Sequence, residues 1–470
     1  MPPMAAFSRR RFLSTTAVAA LGVTRASAFP AELFAAWQED LWTTAADILR
    51  RIKDPVFPAR DIAVTAHGAR GDGTTDCSAA IRAAIDACHT AGGGRVVVPA
   101  GRFLTGAVRL RSNVNLYLQE GATLAFRTEA SAYLPLVLTR FEGTELMNYS
   151  PFIYALDETN VGISGRGTLD GQANAENWWD WRTGQIPSRN KLIQMADEGV
   201  APAQRIFGDG PSRLRVNFIQ PYRCQNVLIE GVRIINSPMW EVNPVLCTNV
   251  TIRGLNISSH GPNNDGCDPE SCKDVLIEGC TFDTGDDCIA LKSGRNEDGR
   301  RLHAPIENVI IRDCDMKDGH GGVTIGSEIS GGARNIFAEK CRMDSPRLDR
   351  ALRFKNNAAR GGLIERVAMR DVTIGEVGEA VVAADFFYEE GRNGKFTPIL
   401  RDVDVRNVTS RKSKHAFVLR GFAESPIANI RVTDCTFDGV ASPDVLEGVK
   451  DLVLKNVRVN GQRKDEAISR

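Results

Sequence analysis

A short pattern recurs through the second half of the chain and restricts the folds that the chain can adopt. Each copy has an Asn or Asp followed by alternating apolar residues, and the copies return every 23 to 34 residues. The anchor positions of the clearest copies are Asn226, Asn249, Asp274, Asn308 and Asn335. A β-like repeat of this length, with no helix between its copies, is typical of a solenoid. The pattern therefore predicts coils that stack into one long core.

The coil interpretation favours an all-β, right-handed parallel β-helix. A β-sandwich or a propeller would need hairpin turns and a more regular repeat. Stacked coils also explain how a chain of 470 residues can lack a domain boundary. We predict one β-helix domain over residues 61–470, with strands about 4.8 Å apart. The recurring Asn, Asp and Cys residues would form internal stacks at its corners.

The N-terminal part of the chain has a different character. Residues 1–28 combine Arg9 and Arg10, a short apolar stretch and an Ala-Ser-Ala site, a pattern that indicates a twin-arginine export signal. An ordinary signal with a basic start is the alternative. The mature protein would begin near Phe29 and be periplasmic or secreted. Residues 29–60 are predicted to be a helical segment that packs on the body or forms an N-terminal helical cap.

Composition excludes several classes of function. The net charge is zero, so the overall field gives no sign of nucleic-acid binding, and an anionic substrate must be met by local charge. No apolar run after the export signal is long enough to span a membrane. The eleven cysteines are an odd number without a CxxC pair, so we expect small buried residues rather than a disulfide framework.

Four short motifs with ionisable side chains follow one another on the predicted coils. They are Asn263-Asn264-Asp265, Gly285-Asp286-Asp287, Gly319-His320-Gly321 and Arg353-Phe354-Lys355. Coiling would bring them to one patch. Neighbouring residues of a strand point to opposite faces, so both members of the Asp286-Asp287 pair can face a cleft only at a bend, which Gly285 permits. Arg353 and Lys355 are two apart and would face the same side.

Carboxylates gathered in this way suit glycoside hydrolysis. Hydrolysis with inversion needs one acid to protonate the leaving oxygen and a carboxylate base to activate water, with the two about 6.5–9.5 Å apart. Crowding of like charges raises the pKa of one carboxyl and so keeps a proton available. The expected chemistry requires neither a metal nor a cofactor.

The four motifs resemble those of the polygalacturonases, glycoside hydrolase family 28, whose pattern is N-T-D, D-D, G-H-G and R-I-K on a right-handed parallel β-helix. Asn264 and Phe354 depart from the pattern, but both lie between functional positions. The longer string P-N-N-D-G-C-D-P-E-S is more similar to bacterial exo-acting members. The resemblance implies cleavage of α-1,4-linked galacturonate in pectin or polygalacturonate, with inversion and from a chain end.

The resemblance also implies roles for individual side chains. Asp286 would be the general acid, Asp265 and Asp287 would hold and activate the water, and His320 would maintain the protonation of the acid. The residues implied in substrate binding are Asn263, Arg353, Lys355 and Tyr388, although core packing is an alternative for Tyr388. The implied partner is polygalacturonate or an oligogalacturonide, with no nucleic acid, and with no membrane after signal removal.

Two other functions remain open at this point. A calcium-dependent pectate lyase is also a β-helix, and its acidic residues would bind Ca²⁺. A non-catalytic glycan-binding solenoid would use the same groove without chemistry. Endo or exo attack would depend on whether loops close the groove, and the long insertion at 174–212 is expected to overhang one end. The cations that follow the acidic pair would either meet a polyanion or form a solvated loop: Lys292, Arg295, Arg300 and Arg301.

Overall fold

The chain forms a right-handed parallel β-helix, as the repeat predicts. This computed structural model describes residues 31–208 and 210–470. The predicted export signal, residues 1–28, lies outside the described residues. None of the helices in the described part combines the length and the apolar character of a membrane-spanning segment.

Each coil contributes strands to three faces, and each strand pairs in parallel with its equivalent on the next coil. The first face carries the recurring pattern, and its last strand is an antiparallel addition. Its strands are β1 Asp61–Ala63, β3 Gly94–Val98, β6 Val114–Leu118, β11 Thr159–Gly165, β14 Gln225–Glu230, β16 Thr248–Arg253, β18 Lys273–Glu278, β21 Ile306–Arg312, β24 Ala333–Glu339, β27 Leu363–Glu376, β29 Ile399–Lys412, β31 Ile427–Thr433, β34 Val449–Val459 and β35 Gln462–Ile468.

The second face follows the first after a corner, and the long strands β27, β29 and β34 continue onto it. Its other strands are β2 Asp72–Asp76, β4 Gly101–Thr105, β7 Ala122–Phe126, β12 Thr168–Asp170, β15 Arg233–Ile235, β17 Asn256–Ser259, β19 Thr281–Thr284, β22 Asp315–Met316, β25 Arg342–Met343 and β32 Thr436–Phe437.

The third face carries the ionisable motifs. Its two blocks of strands are joined through isolated bridges at Val242, Val245, Cys267 and Glu270. The strands are β5 Val108–Arg109, β10 Ile153–Leu156, β13 Ile219–Tyr222, β20 Ile289–Leu291, β23 Val323–Ile325, β26 Arg350–Lys355, β28 Ala380–Asp385, β30 His415–Arg420 and β33 Val445–Glu447. A separate hairpin of β8 Val137–Phe141 and β9 Thr144–Asn148 lies outside the coils.

The helices lie around the coils. They are α1 Ala31–Arg51, α2 Ser78–Thr90, α3 Trp181–Gly184, α4 Ile186–Asp197 and α5 Asn296–Leu302, with 3₁₀ turns at Val64–His67, Ala130–Tyr133 and Pro202–Gln204. Of the two predicted positions for the N-terminal helix, α1 takes the first: it packs on the body and does not cap the solenoid. Its apolar residues Leu41, Ala45 and Ile48 pack on the outside of the first face, against Leu276 and Phe337.

The helix that covers the N-terminal end of the core is α2. Its buried residues Ile81, Ala84, Ile85 and Cys88 join the main core beside the first coil.

The side position of α1 follows from the outward surface of the first face. Its exposed-side residues on β18, β21, β24 and β27 include apolar side chains that only an added helix can bury, and α1 buries them.

The Asn anchors form a ladder at one corner. Asn226 Nδ2 donates to Asn160 Oδ1 at 2.9 Å, and Asn249 Nδ2 donates to Asn226 Oδ1 at 2.8 Å. The ladder residues have left-handed backbone, with φ of 57° at Asn226 and 58° at Asn249. Asn tolerates this conformation better than most residues and supplies a donor and an acceptor to the coils on either side. Both properties explain why the pattern keeps Asn or Asp at this point.

All eleven cysteines are buried and unpaired, as expected. Several stack along the core, where the backbone N–H of Cys224 points at the sulfur of Cys247, and that of Cys247 points at the sulfur of Cys272. They therefore act as small core residues of the coils.

The Asn ladder gives a test of the fold. Asn226→Ala removes two side-chain hydrogen bonds and places a Cβ-bearing residue without them in left-handed backbone, so we expect a loss of about 2–4 kcal/mol in the free energy of unfolding. Asn226→Gly keeps the backbone freedom and should lose about 1–2 kcal/mol. Denaturant unfolding measures both. An alanine variant as stable as the wild type would contradict the ladder.

Candidate active site

The four ionisable motifs lie side by side on consecutive coils at the start of the third face. The backbone N–H of Asp286 donates to the carbonyl of Asn264 at 3.3 Å, and the N–H of His320 donates to the carbonyl of Asp286 at 3.1 Å. On the strands that follow, Arg353 pairs in register with Thr324. The predicted gathering of the motifs is therefore present in the structure.

The Asp286-Asp287 pair lies at the predicted bend, between β19 and β20. One carboxylate oxygen from each of Asp265, Asp286 and Asp287 lies within 4.8 Å of the others. The bend thus lets both neighbours face the cleft. The expected separation of about 6.5–9.5 Å is wrong for these facing oxygens, because adjacent coils hold the segments only one backbone hydrogen bond apart.

Asp287 is buried, and both of its carboxylate oxygens accept hydrogen bonds from residues on later coils. Lys355 Nζ donates to Oδ2 at 2.6 Å, while Arg353 Nη1 and the Thr324 hydroxyl donate to Oδ1 at 3.2 and 3.0 Å. Burial alone would raise the pKa of Asp287, but the charges of Lys355 and Arg353 outweigh burial and hold the pKa well below its usual value. Asp287 is therefore a fixed anion.

Asp265 has the opposite environment. Its side chain is 4% exposed, and its Oδ1 has no hydrogen-bond partner among the described residues. Burial raises the pKa of Asp265 well above its usual value, the charges of Asp268 and Asp286 raise it further, and Lys292 acts in the other direction. A buried carboxylate oxygen without a partner is available to accept a hydrogen bond from a water or a substrate hydroxyl.

His320 pairs with Asp286. Its Nδ1 lies 3.0 Å from Asp286 Oδ1, and this hydrogen bond raises the pKa of His320. A proton is therefore retained on the pair to higher pH than on a free imidazole. The residue after His320 has to be a glycine, since a Cβ at Gly321 would collide with the Thr324 hydroxyl and the Asp287 carboxylate.

The remaining two predicted residues lie at the sides of this cluster. Asn263 Oδ1 accepts a 2.6 Å hydrogen bond from Arg215 Nη2, so the side chain of Asn263 is held by Arg215. The ring of Tyr388 lies 5.7 Å from the guanidinium of Arg353 and 5.4 Å from Lys355 Nζ. Tyr388 is half-buried against cations, which differs from the alternative of core packing.

A hairpin packs across the third face along several coils, from that of Gln220 to that of Arg295. The β8–β9 hairpin covers outward-facing side chains of the preceding coils: Thr139 Oγ1 donates to Gln220 at 2.5 Å, and Arg140 forms a fully buried ion pair with Glu270 at 2.6 Å. Apolar residues of the insertion, Leu192 and Phe207, pack with Phe141 of the hairpin. The insertion therefore packs on the hairpin, and its position over one end of a groove stays a prediction.

Ion pairs fasten the tip of this hairpin to the rest of the groove. Arg189 on α4 pairs with Glu142 at 2.5 Å, and Arg295 pairs with Glu142 at 3.2 Å and with Glu389 at 3.4 Å. The hairpin, the insertion and the loop after β28 thus form one continuous wall.

Comparison with known proteins assigns this arrangement to a family. The model of glycosyl hydrolases family 28 matches residues 209–459, and a model of the rhamnogalacturonase A/epimerase, pectate lyase-like type matches residues 62–122. The chain belongs to glycosyl hydrolases family 28. The first of these matches covers more than half of the chain and includes all four motifs.

Individual family members are similar over most of their length. The structure of an exopolygalacturonase from Thermotoga maritima is 43% identical, has a TM-score of 0.89, and covers 91% of this chain and 98% of its own. An exo-poly-alpha-D-galacturonosidase from Dickeya chrysanthemi is 29% identical over 86% of this chain and 71% of its own length. A probable polygalacturonase from Vitis vinifera is 27% identical over 80% and 74%.

Several charged residues of this family 28 site were not predicted as site residues. Lys292 and Arg295 are each 3% exposed and contact Glu328, so they form neither a solvated loop nor an open patch for a polyanion. Arg215 is also buried and holds Asn263. One signal was available for Lys292: it lies two positions beyond Ala290, so it continues the outward side of β20.

The acidic cluster is balanced by protein cations. Three carboxylate oxygens within 4.8 Å of one another could touch a single bound cation. Arg353, Lys355 and Lys292 already lie within 4 Å of these acids, however, so the protein itself supplies the positive charge. Independence from metal and cofactor stays a prediction.

The buried pair of Lys355 and Asp287 gives a stability test. Lys355→Met leaves a buried anion short of one partner, so we expect a loss of about 3 kcal/mol in the free energy of unfolding at neutral pH. Because the pKa of Asp287 is depressed on folding, this contribution is present above the unfolded carboxyl pKa of about 3.9 and is lost as the pH falls.

Lys412→Met is the matched control. Lys412 pairs with Glu376 at 2.7 Å but is 66% exposed, so its loss should cost less than about 1 kcal/mol. Equal losses in the two variants, measured by denaturant unfolding, would contradict the strength given to the buried pair.

Proposed function

We propose that this protein is an exo-acting glycoside hydrolase that cleaves α-1,4-linked galacturonate in pectin or polygalacturonate with inversion. The observation that carries the proposal is the Asp286–His320 pair, in which one oxygen of Asp286 lies within 4.8 Å of an oxygen of Asp265 and of Asp287. One carboxyl that is hydrogen-bonded to a histidine therefore faces two carboxyl groups in different electrostatic states. This is the division of labour between acid and base that glycoside hydrolysis needs.

Each acidic residue has a role that its environment supports. Asp286 is 20% exposed, the most accessible of the three, and donates a proton to the leaving glycosidic oxygen. His320 holds that proton on the pair. Asp265 accepts a hydrogen bond from the attacking water through its unpartnered Oδ1. Asp287 is tied down by Lys355 and Arg353, so it orients the water rather than attacking carbon itself.

That assignment is the reason to propose inversion despite the short spacing. A covalent intermediate would need one of the two bases to reach the anomeric carbon. Asp287 is 0% exposed and engaged by three donors, and Asp265 is recessed at the floor of the cleft. A water between them is better placed than either carboxylate.

Arg353, Lys355 and Tyr388 are proposed to recognise the galacturonate carboxylate. Among the described residues only Nη1 of Arg353 makes hydrogen bonds, to Asp287 and to the carbonyl of His320. The rest of the guanidinium is free to bind a sugar carboxylate in the way that arginine commonly does. Asn263 lies on the opposite side of the aspartates and would contact the same sugar or its neighbour.

The wall of the groove supports attack from a chain end. The β8–β9 hairpin and the insertion cover part of the third face beside the aspartates, so we expect a polymer bound at Asp286 to be blocked on that side. The Thermotoga maritima protein, which aligns with this chain over 98% of its own length, is an exopolygalacturonase.

The two alternatives have less support. A calcium-dependent lyase would need an acidic site open to Ca²⁺, whereas Lys292, Arg353 and Lys355 occupy the space around these carboxylates. A glycan-binding solenoid without chemistry would have no use for the hydrogen-bonded pair of Asp286 and His320.

The proposal includes export by the twin-arginine route to the periplasm or beyond, supported by Arg9 and Arg10 ahead of an apolar stretch.

Asp286→Asn tests the chemistry. The amide cannot supply the proton, so release of reducing sugar from polygalacturonate should fall by at least about 10²-fold, while binding of oligogalacturonide persists. Asp315→Asn, which alters an exposed ion pair with Arg342 on the second face, should retain full activity. Wild-type activity in Asp286→Asn, or a UV-absorbing unsaturated product that disappears in chelator, would overturn the proposal.

The first product tests the mode of attack. Digestion of polygalacturonate should release only mono- or digalacturonate at early times, and proton NMR should show the new reducing end in the β configuration before it mutarotates. Closure of the groove gives the short product, and displacement by water gives the inverted anomer. A ladder of intermediate oligomers would contradict the exo assignment, and an initial α anomer would contradict inversion.

A further inference from the structure

Lys292 occupies a position that the proposed chemistry does not yet use. Its ammonium nitrogen lies 3.2 Å from Glu328 Oε2, 3.7 Å from Asp268 Oδ2 and 3.8 Å from Asp265 Oδ2. The side chain is 3% exposed. One buried cation is thus shared by three buried carboxyl groups, one of which is the proposed water-binding base.

The walls around Lys292 exclude water. The ring centroid of Trp240 lies 4.3 Å from Nζ, and Trp240 itself belongs to the apolar cluster that joins the hairpin to the insertion. On the other side Glu328 is held by Arg295 at 3.4 Å. The ammonium lies between the Trp240 ring and Glu328, where solvent screens its charge little.

The charges that reach Asp265 are unequal in sign. Asp268 on its own segment and Asp286 and Asp287 on the next coil all disfavour its anion, as does burial. Lys292 favours the anion. Arg215 also lies within electrostatic range, but its guanidinium is bound to the Pro262 carbonyl and Asn263. Glu241, fully buried, faces Asp268 from the preceding coil.

The two acids beside Asp286 therefore have separate cations. Lys355 and Arg353 contact Asp287 directly, at 2.6 and 3.2 Å, and among the described residues neither forms an ion pair with Asp265. Lys292 is the cation within 4 Å of Asp265 in the described part of the chain. Its distance of 3.8 Å, beyond a hydrogen bond, leaves the carboxylate oxygens free to bind water.

Resting on the proposed function, we propose that Lys292 is a positioning residue that opposes protonation of Asp265 and so favours the ionised form that activates the attacking water. Lys292 acts through Asp265 and does not touch the sugar. Its burial under Trp240 makes the effect depend on the same wall that closes the groove.

Lys292→Met tests this inference. Methionine retains most of the apolar stem but removes the charge, so the pKa of Asp265 should rise and the base should be protonated over more of the acidic range. We expect the acid limb of the kcat–pH profile on polygalacturonate to move up by about one pH unit or more, with the alkaline limb and KM close to wild type. Lys292→Arg, which retains the charge, should restore the acid limb at least in part.

Lys273→Met is the matched control. Lys273 is on the same coil and pairs with Glu307 at 3.3 Å on the first face, where it is 54% exposed. It should leave the profile unchanged. A Lys292→Met enzyme that loses activity equally at every pH would overturn the inference, because a purely structural role gives that result.

Glu328→Gln provides a second, opposite test that does not depend on Lys292→Met folding. Removing this carboxylate leaves the ammonium to act on Asp268 and Asp265, so the acid limb should move to lower pH. An unmoved or raised acid limb would overturn the inference. A wild-type protein with no activity on polygalacturonate would instead overturn the proposed function itself, and the inference with it, so the two failures are distinguishable.

Discussion

Backbone hydrogen bonds between in-register coils determine which side chains of this protein meet. Because each strand pairs in parallel with its equivalent on the next coil, residues about one repeat apart become lateral neighbours. Asp286 and His320 are 34 residues apart in sequence, yet their backbones share a hydrogen bond. The site consists of segments that the solenoid repeat places in contact, and its geometry has the rigidity of that stack.

Stacking also creates the main energetic problem of the site. It buries Asp265, Asp268 and Asp287 close together, and isolated anions in such a place would be strongly destabilising. Cations compensate the negative charge: Lys355 and Arg353 on β26 pair with Asp287, and Lys292 after β20 pairs with Asp265. The compensation is uneven, and this unevenness separates a permanent anion at Asp287 from a more easily protonated acid at Asp265. Functional differentiation of similar carboxyl groups thus follows from which cation each one contacts.

Much of the fold and the composition of the site could be predicted from the sequence, because both follow from the repeat. The Asn226 and Asn249 anchors gave the coil length, and the order of the motifs placed Asp265, Asp286 and His320 on successive coils. The bend at Gly285 followed from the alternation rule. These are local or periodic signals, and parallel stacking converts them into contacts.

The features that the sequence left open or predicted wrongly have a different origin, since they depend on contacts outside the repeat. The side position of α1 depends on apolar residues exposed by the first face, which a helical pattern alone cannot locate. The burial of Lys292 depends on Trp240 and on a hairpin that starts some 150 residues earlier in the chain. The carboxylate spacing was expected from general chemistry, and the close lateral approach of adjacent coils made it shorter.

The central claim is that the groove ends at the β8–β9 hairpin, with Asp286 poised over the bond nearest that end. The crystal structure of Asp286→Asn with a bound tetragalacturonate tests it most directly. The account predicts that one end of the sugar chain stops against the wall that Glu142, Arg189 and Arg295 fasten, with a glycosidic oxygen beside Asn at position 286 and a carboxylate at Arg353. A sugar chain that runs past the hairpin in both directions, or that lies on another face of the solenoid, would contradict it.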